Sequence, residues 1–486
     1  MPSPTLARRL RAACLHALFL LPLWTAGWQP AQAQTAALPP EVEAALARAR
    51  LPREALSVWV ADAQAGPRAA PRLAWRAQVP ANPASVMKLV TTYAGLDLLG
   101  PAYVWNTPVY VDGPVSGGVL QGNVYIQGRG DPKLVLERLW LLLRRLQAQG
   151  IRTIAGDIVL DRSAFSLPPH DPAGFDGEPF KPYNAAPDAL LVNYRSLVLD
   201  FIPDRAAGVA RVSVEPPLAG LAAPAAVPLS AEACGDWRGQ LQASLADPAR
   251  IGFAGSYPAA CGERAWPIAP PAPDTFAARA IEGLWRQTGG ELRGRVRDGR
   301  VPAGLQPVFT AASPPLAEVI RDINKFSNNV MAQQLFLTLS LQARGTGSFD
   351  ASREVLAQWW RSRIAADLPV PLIDNGAGLS RDAQVAPAAL GRMLQVAWAT
   401  PAMPELIASL PIAGVDGTLK RSQARWSGAA HLKTGSLRDA AAIAGYVHAA
   451  SGRRYVVVAI VNHPNANGLR PVFDALVDWV GSDTAN

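Results

Sequence analysis

Pro83-Ala84-Ser85-Val86-Met87-Lys88-Leu89 lies between a short alternating strand pattern and an apolar helix, and its reading decides the fold. Asn82 supplies a helix cap and Pro83 an N1 proline, so a helix is expected from there to about Leu99, stopped by Gly100-Pro101. Ser85 and Lys88 are three residues apart and share a helical face. A serine becomes a useful nucleophile only when a neighbouring base takes its proton. A lysine serves as that base when desolvation or a second cation lowers its pKa. By itself S-x-x-K is common, and an exposed Ser/Lys pair on a helix surface is its ordinary meaning. The rest of the chain decides between the two.

On the N-terminal side, residues 56–62 alternate as a strand and residues 73–75 form a second, so a hairpin precedes the helix. On the C-terminal side, residues 101–307 change character. Short strands are expected at 108–112, 119–126, 154–160, 197–202 and 210–215, interrupted by one apolar helix over 134–149 that Gly150 closes. Residues 216–228 are rich in proline and alanine and read as flexible or extended. Helical periodicity returns at Leu316, Ile320, Ile323 and Phe326 and continues past Ser327-Asn328-Asn329 to Leu335. A hairpin around Ser451-Gly452 and a helix over 471–480 end the chain. The expectation is an α+β domain made of residues 34–100 and 308–486, interrupted by a mostly β insert at 101–307 of one or two subdomains.

Hydrophobic residues make up 49% of the 486 and charged residues 17%, the composition of a folded chain of two or three domains. A formal charge of +8 admits a polyanionic partner. The cations are scattered, however, without a lysine-rich tract or a zinc-finger or RNA-binding pattern, so no nucleic-acid partner is expected. Arg8, Arg9 and Arg11 precede an apolar run too short to span a bilayer, and Ala31-Gln32-Ala33 follows as a cleavage site. Residues 1–33 therefore read as a signal peptide, with Cys14 in the removed part and no membrane span afterwards. The expected address is the periplasm. In an oxidising compartment Cys234 and Cys261 point to a disulfide rather than to two unlinked buried thiols. It would close a loop of about 27 residues, worth ~3 kcal/mol in chain entropy. Histidines are few and none has ligand spacing, so neither metal nor cofactor is expected.

Two distant elements complete the S-x-x-K. Ser327-Asn328-Asn329 is an S-x-N, and Lys433-Thr434-Gly435 is a K-T-G on a strand, followed by Ser436. That order of three is the pattern of penicillin-recognising serine acyl-transferases. Each part has a chemical reason. Ser85 is the nucleophile and Lys88 its base, kept neutral with the help of Lys433. Ser327 relays the proton to the departing amine, and Asn329 holds a substrate carbonyl while anchoring Lys88. Lys433, Thr434 and Gly435 face the terminal carboxylate, and the backbone N–H groups of Ser85 and Ser436 form the oxyanion hole.

The chain resembles the D-alanyl-D-alanine carboxypeptidase/endopeptidase family, the low-molecular-mass class C penicillin-binding proteins (peptidase family S13). The resemblance covers nearly the whole mature sequence. It includes the nucleophile context, the gap of about 240 residues between Ser85 and Ser327, Gly130-Asp131-Pro132, and Gly156-Asp157-Ile158-Val159-Leu160-Asp161. Residues 374–381 resemble the family's D-G-S-G-L-S-R with an inserted Asn375 and Ala377 in place of Ser, and residues 410–419 match another family segment. Ser436 stands where threonine is commoner. The resemblance implies a transpeptidase-like domain carrying the insert. It also implies an acyl-serine mechanism on peptidoglycan stem peptides, and β-lactam antibiotics as covalent inhibitors. By the same resemblance Arg381 would bind the free carboxylate of diaminopimelate, with Asp171, Asp176 or Asp188 meeting its amine.

Competing readings are a β-lactamase or D-amino-acid esterase, which the long insert disfavours, and a non-catalytic wall-binding scaffold, which three intact motifs disfavour. Arg129-Gly130-Asp131 reads as part of a structural turn, and His431 lies only loosely on the face of Lys433.

Overall fold

The computed structural model describes residues 37–66, 69–466 and 468–484. The expected signal peptide lies outside them. Among the described residues no helix is long and apolar enough to cross a membrane.

The two ends of the chain meet in one antiparallel sheet. From its edge inward the strands are Ala430–Ser436, Ala440–His448, Arg454–Asn462, Leu56–Asp62 and Leu73–Trp75. Leu56–Asp62 pairs along its full length with the C-terminal hairpin, Trp59 opposite Val458. Side chains alternate across a strand, and both faces here are covered, which is why Tyr455–Val461 is an unbroken apolar run. Val456, Val458 and Ile460 join Val86, Leu89 and Leu335 in one core. Val457, Ala459 and Val461 face the other way, onto Val42, Leu46, Leu476 and Val480 of helices Pro40–Arg48 and Arg470–Gly481.

The region between these ends has its own core, from Val109 to Phe309. Its strands are shorter than the sequence suggests. The apolar run at 119–126 splits into Val119–Leu120 and Val124–Gln127, and that at 154–160 into Thr153–Ile154 and Ile158–Asp161. The two pairs run parallel and step from one sheet to another at the same level. Gly122 and Gly156 touch at the step, where Gly156 N donates to Gly122 O at 3.0 Å and a Cβ on Gly156 would lie 2.6 Å from that oxygen. Periodicity cannot register such a break, because the apolar residues continue on both sides of it.

Three further differences have local causes. A second amphipathic helix, Pro273–Gln287, stands beside the expected one at Leu136–Ala148, and buries Phe276, Ala280, Ile281 and Leu284. The proline-rich stretch ends in a strand, Ala226–Ser230, because it finds Val209–Glu215 to pair with. The strand Phe309–Ala312, just past the expected insert, pairs with Asn106–Val111 inside it. Cys234 and Cys261 are joined by a disulfide, with Cα atoms 4.7 Å apart.

Candidate active site

The turn that carries Ser85 is built by its neighbours. Ala84–Met87 form a 3-10 turn, and the α-helix proper begins at Lys88 and ends at Leu99. The expected first α-helical turn is thus tighter, and in that geometry residues i and i+3 eclipse. Lys88 Nζ consequently reaches Ser85 Oγ at 2.9 Å. Ala84 enters the turn at φ +47°, a conformation L-residues resist. Asn82 holds it there. Its Oδ1 accepts from Ala84 N at 2.9 Å, its N donates to Asn462 Oδ1 at 2.8 Å, and its Nδ2 donates to Ser380 O at 2.9 Å.

Lys88 is fully buried. Its Nζ also meets Asn329 Oδ1 and Ala377 O, each at 2.6 Å. Burial, and then the charge of Lys433, push its pKa well below the ordinary lysine value. A neutral amine has two N–H donors and one lone pair. With the two carbonyl oxygens taking the donors, the lone pair is left for the Ser85 hydroxyl.

Ser327 owes its place to a break in what the periodicity suggests is a continuous helix. Helix Leu316–Phe326 stops, Ser327 turns at φ +59°, and Asn328 caps the next helix, Asn329–Arg344, by accepting from Met331 N at 3.1 Å. The left-handed residue aims Ser327 Oγ at Lys433 Nζ, 2.9 Å away. Lys433 is fully buried too, donates to Thr434 O at 2.7 Å, and has its pKa lowered to about 7 by burial. Edge strand Ala430–Ser436 runs hard against the turn that carries Ser85. A Cβ on Gly435 would lie 2.4 Å from Pro83 O and 3.1 Å from Ser85 N.

Ser85, Ser327, Thr418, Thr434, Gly435 and Ser436 line one cleft of about 540 Å³. Lys88, Asn329 and Lys433 lie beneath it. Arg381 stands to one side, donating to Asp439 Oδ1 at 3.2 Å with its guanidinium 4.5 Å over the Phe175 ring. Among the three candidate aspartates, Asp188 is buried under Arg162 and Arg195, a structural position. Asp171 lines a neighbouring cleft with His170 and Arg353. Asp176 is the one coupled by charge to Arg381, and it accepts from Tyr183 Oη and Asn184 Nδ2, each at 2.8 Å. His431 does not line the cleft; its ring faces that of His448 at 5.6 Å.

Four contributors escaped the reading of the sequence. Ala377 O anchors Lys88, and Tyr183 O accepts from Asn329 Nδ2 at 3.0 Å. Lys325 pairs with Asp416 at 2.6 Å, and Thr418 Oγ1 lies 2.7 Å from Thr434 Oγ1. The first two act through backbone carbonyls, which carry no residue signal. Lys325 lies just before Ser327, and Asp416 and Thr418 lie within residues 410–419, but their partners are distant in sequence.

Known proteins resemble this chain over most of its length. The chain is 29% identical over 483 residues to a D-alanyl-D-alanine carboxypeptidase of Actinomadura sp. (strain R39), covering 93% of this chain and 87% of that one. It is 26% identical over 404 residues to D-alanyl-D-alanine carboxypeptidase DacB of Haemophilus influenzae, covering 78% and 80%. The crystal structure of penicillin binding protein 4 from that organism superimposes with a TM-score of 0.70 at 24% identity, over 90% of this chain and 99% of that one. A predatory peptidoglycan endopeptidase from Bdellovibrio bacteriovorus shares the fold at a TM-score of 0.52 and 16% identity, over 88% and 94%. The D-Ala-D-Ala carboxypeptidase 3 (S13) family model matches residues 38–482. A match of that length takes in the insert and both halves of the sheet as well as the motifs, and the chain accordingly belongs to this family of serine peptidases.

Proposed function

We propose that this protein is an exported DD-peptidase of the periplasm, acting on peptidoglycan stem peptides through an acyl-Ser85 intermediate. The contact between Lys88 Nζ and Ser85 Oγ at 2.9 Å, in a site that denies Lys88 its water, carries the reading. In acylation the Ser85 oxygen attacks the carbonyl carbon of the penultimate D-alanine while Lys88 takes the hydroxyl proton. The N–H groups of Ser85 and Ser436 receive the developing oxyanion. Ser327, held by Lys433, delivers a proton to the leaving nitrogen, the amide C–N bond breaks, and water later hydrolyses the ester. Lys433 and Thr434 hold the carboxylate of the leaving residue, and Arg381 with Asp176 receives the donor side chain. A β-lactam presents a similar amide and carboxylate and acylates the same oxygen.

Purified muropeptides incubated with the protein are expected to release free D-alanine, and benzylpenicillin treatment to abolish that release. Peptide mapping should place the penicilloyl group on Ser85. An absence of D-alanine release, or an adduct elsewhere, would sink the proposal.

The two lysines predict a bell-shaped pH profile for kcat/KM. Lys88 must be neutral, so activity falls as acid protonates it. Lys433 must be charged to meet a carboxylate, so activity falls as pH rises through about 7. Lys433→Arg should move the alkaline limb upward by more than one pH unit, since a guanidinium keeps its proton. A wild-type profile flat from pH 6 to 9 would contradict this assignment.

A further inference from the structure

The cleft is larger than a departing D-alanine requires, and the surplus lies on one side. From Ser85 and Ser327 it passes Thr434 and Ser436 and continues to Arg470 and Phe473 at the start of helix Arg470–Gly481. Neither Arg381 nor Phe175 lines it, so the surplus lies away from the donor side chain. It extends beyond Lys433 and Thr434, where the departing residue sits. Free D-alanine has six non-hydrogen atoms and fills on the order of 100 Å³, three to four times the roughly 30 Å³ of a water molecule. The cleft measures about 540 Å³.

The far end has a definite chemistry. Arg470 is exposed. Among the described residues its guanidinium meets no carboxylate and donates only to Arg421 O at 3.3 Å. Phe473 is half-buried beside it. Asp474 also lines this end, but both its oxygens are engaged, accepting from Ser422 Oγ at 2.6 Å and Gln423 N at 3.2 Å. The end of the cleft thus offers an aromatic face and a cation without a carboxylate partner. A cross-linked substrate departs as the side-chain amine of a diamino acid, whose aliphatic chain continues into a second, carboxylate-bearing peptide.

We propose that Arg470 and Phe473 form a leaving-group subsite for that second peptide, Arg470 pairing with one of its carboxylates and Phe473 packing on the aliphatic chain. The proposal rests on the DD-peptidase reading above and adds a specificity for cross-linked peptides. Bond changes are those already given: the amide C–N bond breaks, the Ser85 ester forms, the amine leaves with its proton, and water restores Ser85.

The test compares two substrates on the full mature protein: a cross-linked muropeptide dimer and a pentapeptide monomer that releases free D-alanine. Arg470→Gln is expected to lower kcat/KM for the dimer about tenfold, the worth of one charge-assisted hydrogen bond. Monomer turnover and the rate of fluorescent penicillin acylation should stay within twofold of wild type. Arg470→Lys should recover most of the dimer activity, and Phe473→Leu should lower it through KM. Equal losses on both substrates, or an unchanged dimer rate, overturn the subsite. Wild-type protein that releases D-alanine but leaves the dimer intact overturns it too, while sparing the DD-peptidase reading. Protein that cleaves neither substrate overturns that reading itself.

Discussion

Lys88→Met is expected to lower the rate of Ser85 acylation by at least about 10⁴-fold while leaving the protein folded. Methionine is close to lysine in volume and fills the same buried channel, but it cannot take a proton. The fold should tolerate it because the change acts in two opposing directions. Removing the amine leaves Asn329 Oδ1 and Ala377 O without their donor, at a cost of about 1–3 kcal/mol each. It also removes a group whose charged form burial already disfavours. Lys88→Arg separates the base from a mere positive charge. An arginine keeps its proton, so it should be as slow as the methionine variant if Lys88 is the base. Stopped-flow acylation by a fluorescent penicillin reads both rates, and thermal melts confirm the fold. An arginine variant within tenfold of wild type would assign Lys88 an electrostatic role instead.

The same site shows where sequence stops being legible. Ser85, Lys88, Ser327 and Lys433 stood out because their chemistry belongs to side chains in a recurring order. Segment 374–381 was legible only as a resemblance, with Ala377 in place of the family's Ser. The structure explains why alanine serves at 377: the atom that touches Lys88 is the backbone oxygen, which any residue supplies. Tyr183 contributes its carbonyl in the same way, bringing the insert into contact with Asn329. At Ser327 the failure is different. Apolar residues recur on both sides of it, and only the left-handed backbone, which places the hydroxyl beside Lys433, divides one apparent helix into two. Local pattern therefore picked out the candidate reacting groups, while the contacts that aim them depend on which distant backbone lies beside them.

Gly378 tests that dependence directly, and Gly378→Ala should damage stability and catalysis together. Its φ is +72°, a region that costs an L-residue roughly 1–2 kcal/mol. The larger effect is steric. A Cβ there would sit 1.9 Å from Ala84 O and 2.6 Å from Ala84 C, so backbone must move rather than a side-chain tip. Ala84 immediately precedes Ser85, and Ala377 O on the other flank holds Lys88. Displacement therefore separates Ser85 from Lys88, and a shift of about 1 Å can cost on the order of 100-fold in rate. Gly452→Ala is the matched control. It has φ +82° and nothing within 4 Å of an added Cβ, so it bears the conformational cost alone. Melting temperature and penicillin acylation rate should both fall steeply for the Gly378 variant, whereas the Gly452 variant should lose a little stability and no rate. Equal behaviour of the two would mean that the close approach to Ala84 does not position Ser85. An unequal result would assign the difference to that one contact, since both substitutions impose the same backbone strain.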